Sequence, residues 1–311
     1  MKGQIRRSIN NFYTVFSFED GRTYSCRIKG KKLQIENYEY NPIAVGDEVE
    51  FSLYSDTEGL VTERLERRST FTRWNVKLEK NQTIAANMDQ VLIVCSAGIP
   101  PFRPRFLDRA IACAKGCDII LCMNKCDNLL TEFEFDRWAL YHSLGYRIIA
   151  VSALTGENIE DLRALLRGKL TALVGQSGVG KSTLVNLLID PEVKQNTGDV
   201  NEKYSRGNHT TNHSIYLERD DIRLIDTPGV REILVPYEES EELLSAFPEF
   251  DAFKCHYDGC LHLDEPGCKV KEALEDERID LDRYESYVRM QESLRERSPK
   301  WARTHFRKNK Q

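Results

Sequence analysis

The stretch Gly175–Ser182 of this chain is GQSGVGKS, which matches the phosphate-binding pattern G-x4-G-K-[S/T]. It follows the apolar segment Leu170–Val174 and precedes Thr183–Ile189, so it joins a predicted strand to a predicted helix. Glycines let backbone N–H groups surround phosphate oxygens, and the helix N-terminus adds a favourable dipole. The predicted nucleotide-contacting residues are Gly175, Gln176, Ser177, Gly178, Val179, Gly180, Lys181, Ser182 and Thr183. Lys181 is expected to contact the β- and γ-phosphates, and Ser182 to ligate Mg²⁺.

A base-recognition motif, NKCD at Asn124–Asp127, ends the apolar strand Asp118–Met123. The aspartate of N-K-x-D accepts hydrogen bonds from guanine N1–H and N2–H₂, which adenine does not offer. The asparagine holds O6 or the loop, and the lysine stem packs on the base. SAL at Ser152–Leu154 ends the next strand, where it supplies a backbone N–H to O6. The predicted base-contacting residues are Asn124, Lys125, Cys126, Asp127, Ser152 and Ala153. Together with a phosphate loop, the two motifs predict GTP as the nucleotide.

A second phosphate-sensing motif, DTPG at Asp226–Gly229, ends the strand Ile222–Ile225. Asp226 is expected to hold Mg²⁺ through water, and the Gly229 N–H to sense the γ-phosphate. The same tetrapeptide is also an ordinary turn sequence, but its place downstream of a phosphate loop favours the nucleotide role.

A polar loop, RGNHTT at Arg206–Thr211, lies between the phosphate loop and DTPG. Thr211 or Thr210 is the candidate that completes the Mg²⁺ shell when a γ-phosphate is present, and a plain surface loop is the alternative. Val230 follows DTPG where many GTPases have a water-orienting glutamine, so intrinsic hydrolysis should be slow. His209 is a candidate catalytic residue by position only, and a loop histidine near phosphate explains it equally well.

The order of these motifs is unusual, because N-K-x-D and S-A-L precede the phosphate loop. A permuted chain builds the same sheet when the former termini are joined and the break falls elsewhere. Here the break follows DTPG, so the second switch leads directly into the C-terminal region. Near-continuous apolar strands alternate with helices from about residue 88 to 230, which predicts a parallel α/β sheet. The chain order therefore predicts a circularly permuted P-loop GTPase domain.

The segment before this domain has short β-rich runs at 12–18, 22–28, 33–37 and 48–54, separated by glycine-containing turns. About five short strands predict a small β-barrel of the OB type, although an SH3-like barrel would give the same pattern. Basic and aromatic residues interleave there, at Arg22, Tyr24 and Arg27, as in barrels on which bases stack.

The C-terminal region is charged and predicted to be mostly helical, with one long helix at 279–297. It contains Cys255-x4-Cys260-x-His262-x5-Cys268, a set of three thiolates and one imidazole suited to one structural Zn²⁺. His256 is a weaker alternative ligand because it adjoins Cys255, and buried free thiols are the alternative to a metal site. Six further cysteines are scattered, which indicates a reduced, intracellular protein.

The overall charge is −5, with 44 Lys and Arg against 49 Asp and Glu in 311 residues, which by itself disfavours nucleic acid. Its distribution favours a polyanion instead: residues 1–35 and 295–311 are strongly basic, whereas 238–251 contains six acids and no base. Mobile ends with ordinary solvated charge remain an alternative. No uncharged apolar run approaches the ~18 residues that span a bilayer, and the N-terminus has no apolar signal core. We therefore expect neither a membrane protein nor a secreted one.

The permuted motif order, the preceding barrel and the trailing Cys-Cys-His-Cys set together resemble the small-ribosomal-subunit biogenesis GTPases, the RsgA/YjeQ family. Four further stretches are similar to that family: IAANMDQVLIV (84–94), PPFRPRFLDR (100–109), GQSGVGKST (175–183) and EPGCKVKEAL (265–274). Asn208 departs from the family pattern, where an arginine is more usual at this position. The resemblance extends over essentially the whole chain.

This resemblance implies three domains: an OB-type barrel at 1–68, a circularly permuted GTPase domain at 69–236 and a zinc-binding helical domain at 237–311. It implies GTP/GDP and Mg²⁺ at Asn124–Asp127 and Gly175–Thr183, and Zn²⁺ on Cys255, Cys260, His262 and Cys268. It also implies a monomeric cytoplasmic enzyme that binds the small ribosomal subunit and its rRNA late in maturation, with subunit-stimulated GTP hydrolysis. A GTP-regulated RNA-binding clamp or ribosome-dormancy factor is the alternative, and a P-loop ATPase is a third hypothesis.

Overall fold

The computed structural model describes residues 1–9, 11–28, 39–189, 214–229 and 233–297. Several predicted features lie outside these ranges: the strand at 33–37, Asn208, His209, Thr210, Thr211, Val230 and the end of the basic tail, 298–311. Among the described helices, none combines the length and apolar character needed to cross a membrane.

The N-terminal segment is a closed five-stranded barrel in the order β1-β2-β3-β5-β4, with β4 returning to β1. Its strands are β1 (Lys2–Ile9), β2 (Phe12–Ser17), β3 (Thr23–Ile28), β4 (Glu48–Leu53) and β5 (Glu58–Arg64). Only β3 and β5 are parallel, and the other neighbours are antiparallel. Alternate residues such as Val15, Val49 and Phe51 face the barrel core. The OB-type prediction is confirmed.

The sequence patterns did not identify β1 and β5 individually. In β1 the sequence KGQIRRSI buries only Gly3 and Ile5, and in β5 the sequence EGLVTER buries only Gly59 and Val61. These two strands contain few β-forming residues. They form because closure of the barrel pairs their backbones with neighbouring strands that are rich in such residues.

The central sheet continues from the barrel, since Arg7 of β1 pairs with Ile215 of the central domain, and the whole forms one eleven-stranded sheet. The central strands are β8 (Gln90–Ser96), β10 (Asp118–Asn124), β11 (Arg147–Ala150), β12 (Leu170–Gly175), β13 (Ile215–Arg219) and β14 (Ile222–Asp226). Their order is β11-β10-β8-β12-β14-β13, with five parallel strands and an antiparallel β13. This agrees with the α/β prediction.

Helices cover both faces of this sheet. They are α1 (Pro104–Cys113), α2 (Glu132–Ser143), α3 (Ile159–Leu166) and α4 (Lys181–Ile189). Alternate residues of β8 enter opposite cores: Val91 and Ile93 pack with α1 and α2, whereas Leu92 and Val94 pack with α3 and α4. Burial on both faces explains why these strands are continuous apolar runs.

A hairpin that the sequence patterns did not reveal, β6 (Thr70–Asn75) and β7 (Lys80–Ala86), links the barrel to β8. It forms a small sheet with the short strand β9 (Ala114–Lys115). Trp74 N donates to Leu234 O at 2.8 Å, and Asn81 Nδ2 donates to Pro236 O at 2.9 Å. The hairpin therefore binds the segment that follows β14 in the chain.

The C-terminal region packs on the same sheet face as α1. It contains 3-10 helices at Ser240–Ala246 and Pro248–Ala252, then α5 (Lys269–Glu275) and α6 (Leu281–Arg295). Phe247, Val270 and Tyr287 belong to the same buried cluster as the residues of β8 and α1. The region therefore shares one hydrophobic core with the central domain.

Candidate nucleotide site and metal centre

The carboxyl ends of β8, β10, β12 and β14 meet at one edge of the sheet. The register pairs Gly175 with Val94, Asn124 with Ser96, and Asp226 with Leu173. Parallel sheets bind ligands at this edge. The phosphate loop, NKCD and DTPG thus lie together although they are distant along the chain.

The phosphate loop is preorganised by its lysine. Lys181 begins α4, and its buried Nζ donates to the carbonyl oxygen of Gly175 at 2.9 Å. Burial lowers the pKa of Lys181 and raises the pKa of Asp226, and each group's opposite charge counteracts the other's shift. A bound phosphate would compensate the buried positive charge of such a lysine, and a bound cation would compensate the buried negative charge of such a carboxylate.

Asn124 connects the phosphate loop to the S-A-L loop. Its Nδ2 donates to Val179 O at 2.8 Å, and its Oδ1 accepts from Ala153 N at 3.0 Å. Of the two roles left open by the sequence, O6 contact or loop support, this structure has the loop contacts. Gly180 has a φ of +92°, and a Cβ there would lie 2.3 Å from Asn124 Nδ2, so only glycine fits.

Hydrogen bonds hold both Lys125 and Asp127 of the NKCD motif in place. Lys125 has a left-handed φ of 64°, and its Nζ donates to Ile99 O at 2.6 Å and Gly178 O at 2.8 Å. Asp127 is exposed, and its Oδ1 accepts from Ser152 Oγ at 2.6 Å. A carboxylate has further lone pairs, so this bond orients Asp127 and leaves acceptor capacity for a base.

The DTPG segment approaches the phosphate loop. Thr227 Oγ1 donates to Leu173 O at 2.6 Å, which fixes the segment to β12. A Cβ on Gly229 would lie 3.4 Å from Lys181 Nζ and 3.5 Å from Ser177 Cα. Gly229 therefore lies beside Lys181 and Ser177 of the phosphate loop.

The four predicted metal ligands converge in the C-terminal region. The ligand atoms of Cys255, Cys260, His262 and Cys268 all lie within 4.8 Å of one another. Cys255 Sγ is 3.8 Å from Cys268 Sγ, and each of these sulfurs is 3.4 Å from His262 Nδ1. Tetrahedral Zn²⁺ with bonds of about 2.3 Å to sulfur places two sulfurs about 3.8 Å apart, so the donor set fits zinc. His256 is exposed against Tyr257 and outside the cluster.

The surrounding residues hold the ligands in place. Glu265 accepts from Leu261 N at 3.0 Å and from Leu263 N at 2.8 Å, which shapes the turn on which His262 lies. Tyr284 Oη donates to His262 O at 2.6 Å. Burial lowers the pKa of His262, which favours the neutral, metal-binding imidazole.

Two contacts were missed by the sequence patterns. The loop at Ile99 and Pro100 lies beside the phosphate loop, with Pro100 Cδ 3.6 Å from the Cβ position of Gly178. Arg283 of α6 donates to Asp108 of α1 at 2.6 Å, where both side chains are 2% exposed. A buried arginine is visible in the sequence only as one more charge on a charged helix, so only the packing identifies it.

The fold and the site together define a circularly permuted P-loop GTPase with an N-terminal OB-type barrel and a C-terminal Cys3His cluster. Residues 64–236 match the family model described as RsgA GTPase, and residues 2–61 match that of the RsgA N-terminal domain. The chain therefore belongs to the RsgA GTPase family and is a GTP-hydrolysing enzyme.

Named relatives and solved structures of circularly permuted GTPases are similar to this chain over nearly its whole length. A protein of Borreliella burgdorferi named small ribosomal subunit biogenesis GTPase RsgA is 37% identical over 291 residues, covering 92% of this chain and 94% of its own. A Christiangramia forsetii protein of the same name is 37% identical over 306 residues, covering 94% and 96%. The crystal structure of YjeQ from Thermotoga maritima has 31% identity and a TM-score of 0.69, covering 96% and 99%. That of YloQ, titled a circularly permuted GTPase, has 28% identity and a TM-score of 0.67, covering 96% of each chain.

Proposed function

We propose that this enzyme hydrolyses GTP while bound to the small ribosomal subunit, late in the subunit's maturation, and that the subunit stimulates hydrolysis. The assignment of GTP is supported most strongly by one observation: four motifs lie together at the carboxyl-end edge of the sheet, namely NKCD, SAL, GQSGVGKS and DTPG. The names of the relatives support the ribosomal part. The enzyme acts in the cytoplasm as a monomer, with no membrane partner.

The residues at this edge divide into three roles. Asp127 recognises guanine, and Asn124, Lys125 and Ser152 hold the recognition loop in place. Lys181 and the loop amides bind the phosphates, while Ser182 and Asp226 serve Mg²⁺. The Gly229 N–H senses the γ-phosphate. Thr211, or Thr210, completes the Mg²⁺ shell from a loop outside the described residues.

The water-activating group is the part of the machinery that this chain lacks at the usual place. The Val230 side chain has no polar atom to orient water, so His209 or a group on the ribosomal subunit performs this role. Either group must be held in place beside the attacking water, and binding to the subunit provides this order. We therefore expect slow hydrolysis by the isolated enzyme and faster hydrolysis on the subunit.

The zinc ion has a structural role. All four ligands come from the protein, so no coordination position remains for water or substrate. The ion would join the turn at His262 to the start of α5. The basic ends and the barrel face are the proposed contacts with rRNA, because cationic surfaces bind phosphate backbones by releasing counterions.

The deciding experiment measures GTP hydrolysis with and without purified small ribosomal subunits. Stimulation by small subunits, and not by large ones, is the expected result. Tight GTP-dependent binding without faster turnover would contradict the enzymatic part and favour a clamp or a dormancy factor. Equal affinities for ATP and GTP would contradict the guanine assignment.

Base recognition is tested by Asp127→Asn. A charged hydrogen bond contributes about 1.5–3 kcal/mol, so GTP affinity should fall about tenfold to about a hundredfold, whereas xanthine nucleotides should gain affinity. Nucleotide binding is measured by titration calorimetry. Asp136→Asn, an exposed change on α2, is the matched control. Unaltered base preference in Asp127→Asn would overturn the assignment of this loop.

A further inference from the structure

A cleft of about 470 Å³ lies on the surface between the N-terminal end of α1 and α6. Its lining includes four arginines, Arg103, Arg105, Arg109 and Arg289, against a single acidic residue, Asp282. The volume is within the range of about 300–1,000 Å³ of ligand-binding pockets. We call this site the α1–α6 cleft.

The positive charge of the α1–α6 cleft is only partly neutralised. Glu285 is shared, since it lies 2.9 Å from Arg105 and 3.9 Å from Arg289. Asp282 is engaged by Arg137 at 3.3 Å. Arg103 is exposed, and its guanidinium has no hydrogen bond or ion pair within the described part of the chain. An anion entering the cleft would therefore meet a surplus of guanidinium groups.

The cleft also offers an aromatic surface. Phe133 lines it and is 49% exposed, whereas Phe102 and Phe106 form a buried apolar floor. Guanidinium groups bind phosphates through two parallel hydrogen bonds, and exposed aromatic rings stack on unpaired bases. This combination fits single-stranded nucleic acid better than an acidic peptide, which has no base to stack.

The position of the cleft connects it to the nucleotide site. Gln176 of the phosphate loop and Ile233, just beyond DTPG, both contribute to its lining. Arg109 donates to Ile233 O at 3.4 Å. A ligand in the cleft would contact the phosphate loop, the segment after the second switch and the zinc-containing region at once.

We propose that the α1–α6 cleft binds a single-stranded segment of ribosomal RNA, with its phosphates on Arg103 and Arg289 and a base against Phe133. This inference rests on the proposed function, because it takes the small ribosomal subunit as the partner. RNA in the cleft would bias the segments that respond to the γ-phosphate, and so would contribute to stimulation by the subunit.

The charge contacts are tested by the double variant Arg103→Ala/Arg289→Ala. Its control is Arg147→Ala/Arg167→Ala, which removes the same charge from exposed residues near the amino-terminal ends of β11 and β12. Binding to small subunits and to a short single-stranded oligoribonucleotide is measured across a salt series. Each lost phosphate contact lowers the salt slope by about 0.7, so the cleft variant should lose about 1.4. Hydrolysis without subunits should not change.

The stacking contact is tested by Phe133→Ala, with Phe135→Ala on the same helix as its control. Loss of one stacked base should weaken oligonucleotide binding about fivefold or more, with no change in the salt slope. Because the two readouts differ, the charge and stacking contacts are tested independently.

The outcomes separate this inference from the proposed function. Failure of the unaltered enzyme to bind small subunits would overturn the proposed function. Normal binding and stimulation, with the cleft variants equal to their controls, would overturn only the cleft inference. Weaker binding to subunits but unchanged binding to protein-free small-subunit rRNA and to the oligoribonucleotide would assign the cleft to a ribosomal protein and overturn the RNA proposal.

Discussion

The barrel and the C-terminal region are attached to the central domain in different ways. The barrel has its own core, and among its described residues Val45, which forms a β-bridge with Ala85, belongs to the central core. Its attachment includes the pairing of Arg7 with Ile215 and the side chain of Arg6, which lies 3.9 Å from the Phe16 ring, 4.6 Å from the Tyr216 ring and 2.8 Å from Glu218. Of these side chains Tyr216 is buried, whereas Arg6, Phe16 and Glu218 are partly exposed.

The C-terminal region instead shares the central core and adds a buried ionic network. Arg283 donates to Asp108 at 2.6 Å and to Glu249 at 2.8 Å. Burial opposes charge on Arg283, but the two carboxylates outweigh it and hold its pKa above the ordinary value. Because it shares the central core, the C-terminal region should unfold with the central domain, whereas the barrel, with a core of its own, should separate more easily.

The largest effect is expected from breaking the metal cluster with Cys268→Ser. Zinc should fall from one ion per chain to none, and the transition in which the C-terminal region and the central domain unfold together should move to a lower temperature, because structural zinc supplies folding energy of about 10–16 kcal/mol in small domains. Metal analysis and thermal unfolding provide the measurement. Cys117→Ser, at a half-buried thiol outside the cluster, should keep the zinc. Full zinc occupancy in Cys268→Ser would contradict the ligand assignment.

The next effect is expected from Arg283→Met. Removing one partner of a buried pair leaves Asp108 and Glu249 without compensation, which costs about 3–5 kcal/mol. Urea unfolding should show this loss in a single transition that includes the central domain. Arg289→Met, an exposed change on the same helix, should alter stability by less than about 0.5 kcal/mol. A separate early transition of the C-terminal region would show that the core is not shared in this way.

The smallest effect is expected from Arg6→Ala at the barrel attachment. A partly exposed ion pair and a cation–π contact contribute about 1 kcal/mol together. Hydrogen exchange should become faster in β1 and β13 and remain unchanged in β8. Arg27→Ala, which removes an arginine over Phe12 on the outer surface of the barrel, should not affect β13. Equal protection of β13 in both variants would show that Arg6 does not support the attachment.

The central sheet and the site motifs were predictable because both depend on local sequence. Leu170–Gly175 is buried at every position, so its apolar run identifies a strand buried on both faces. GQSGVGKS and NKCD are short motifs whose residue types are dictated by phosphate and base chemistry. Their meeting at one edge follows from parallel strands, without any knowledge of side-chain contacts.

The attachments were not predictable because they depend on pairs that are remote in sequence. β1 has two central arginines and few apolar residues, so its pattern is weak, and it becomes a strand through pairing with β2, β4 and β13. Arg283 and Asp108 are ordinary charged residues until α1 and α6 pack together. Asn124 is a predicted base contact whose support of two loops appears only when those loops converge.

The sequence by itself determined the nucleotide class, the permuted order and the four members of the Cys3His cluster, because each requires particular residue types at fixed spacing. Only the tertiary structure decided how the three parts are joined and that four arginines surround the α1–α6 cleft. Those features depend on contacts between elements that are distant in the sequence, and such contacts produce no periodic pattern of residues that could be recognised in the chain.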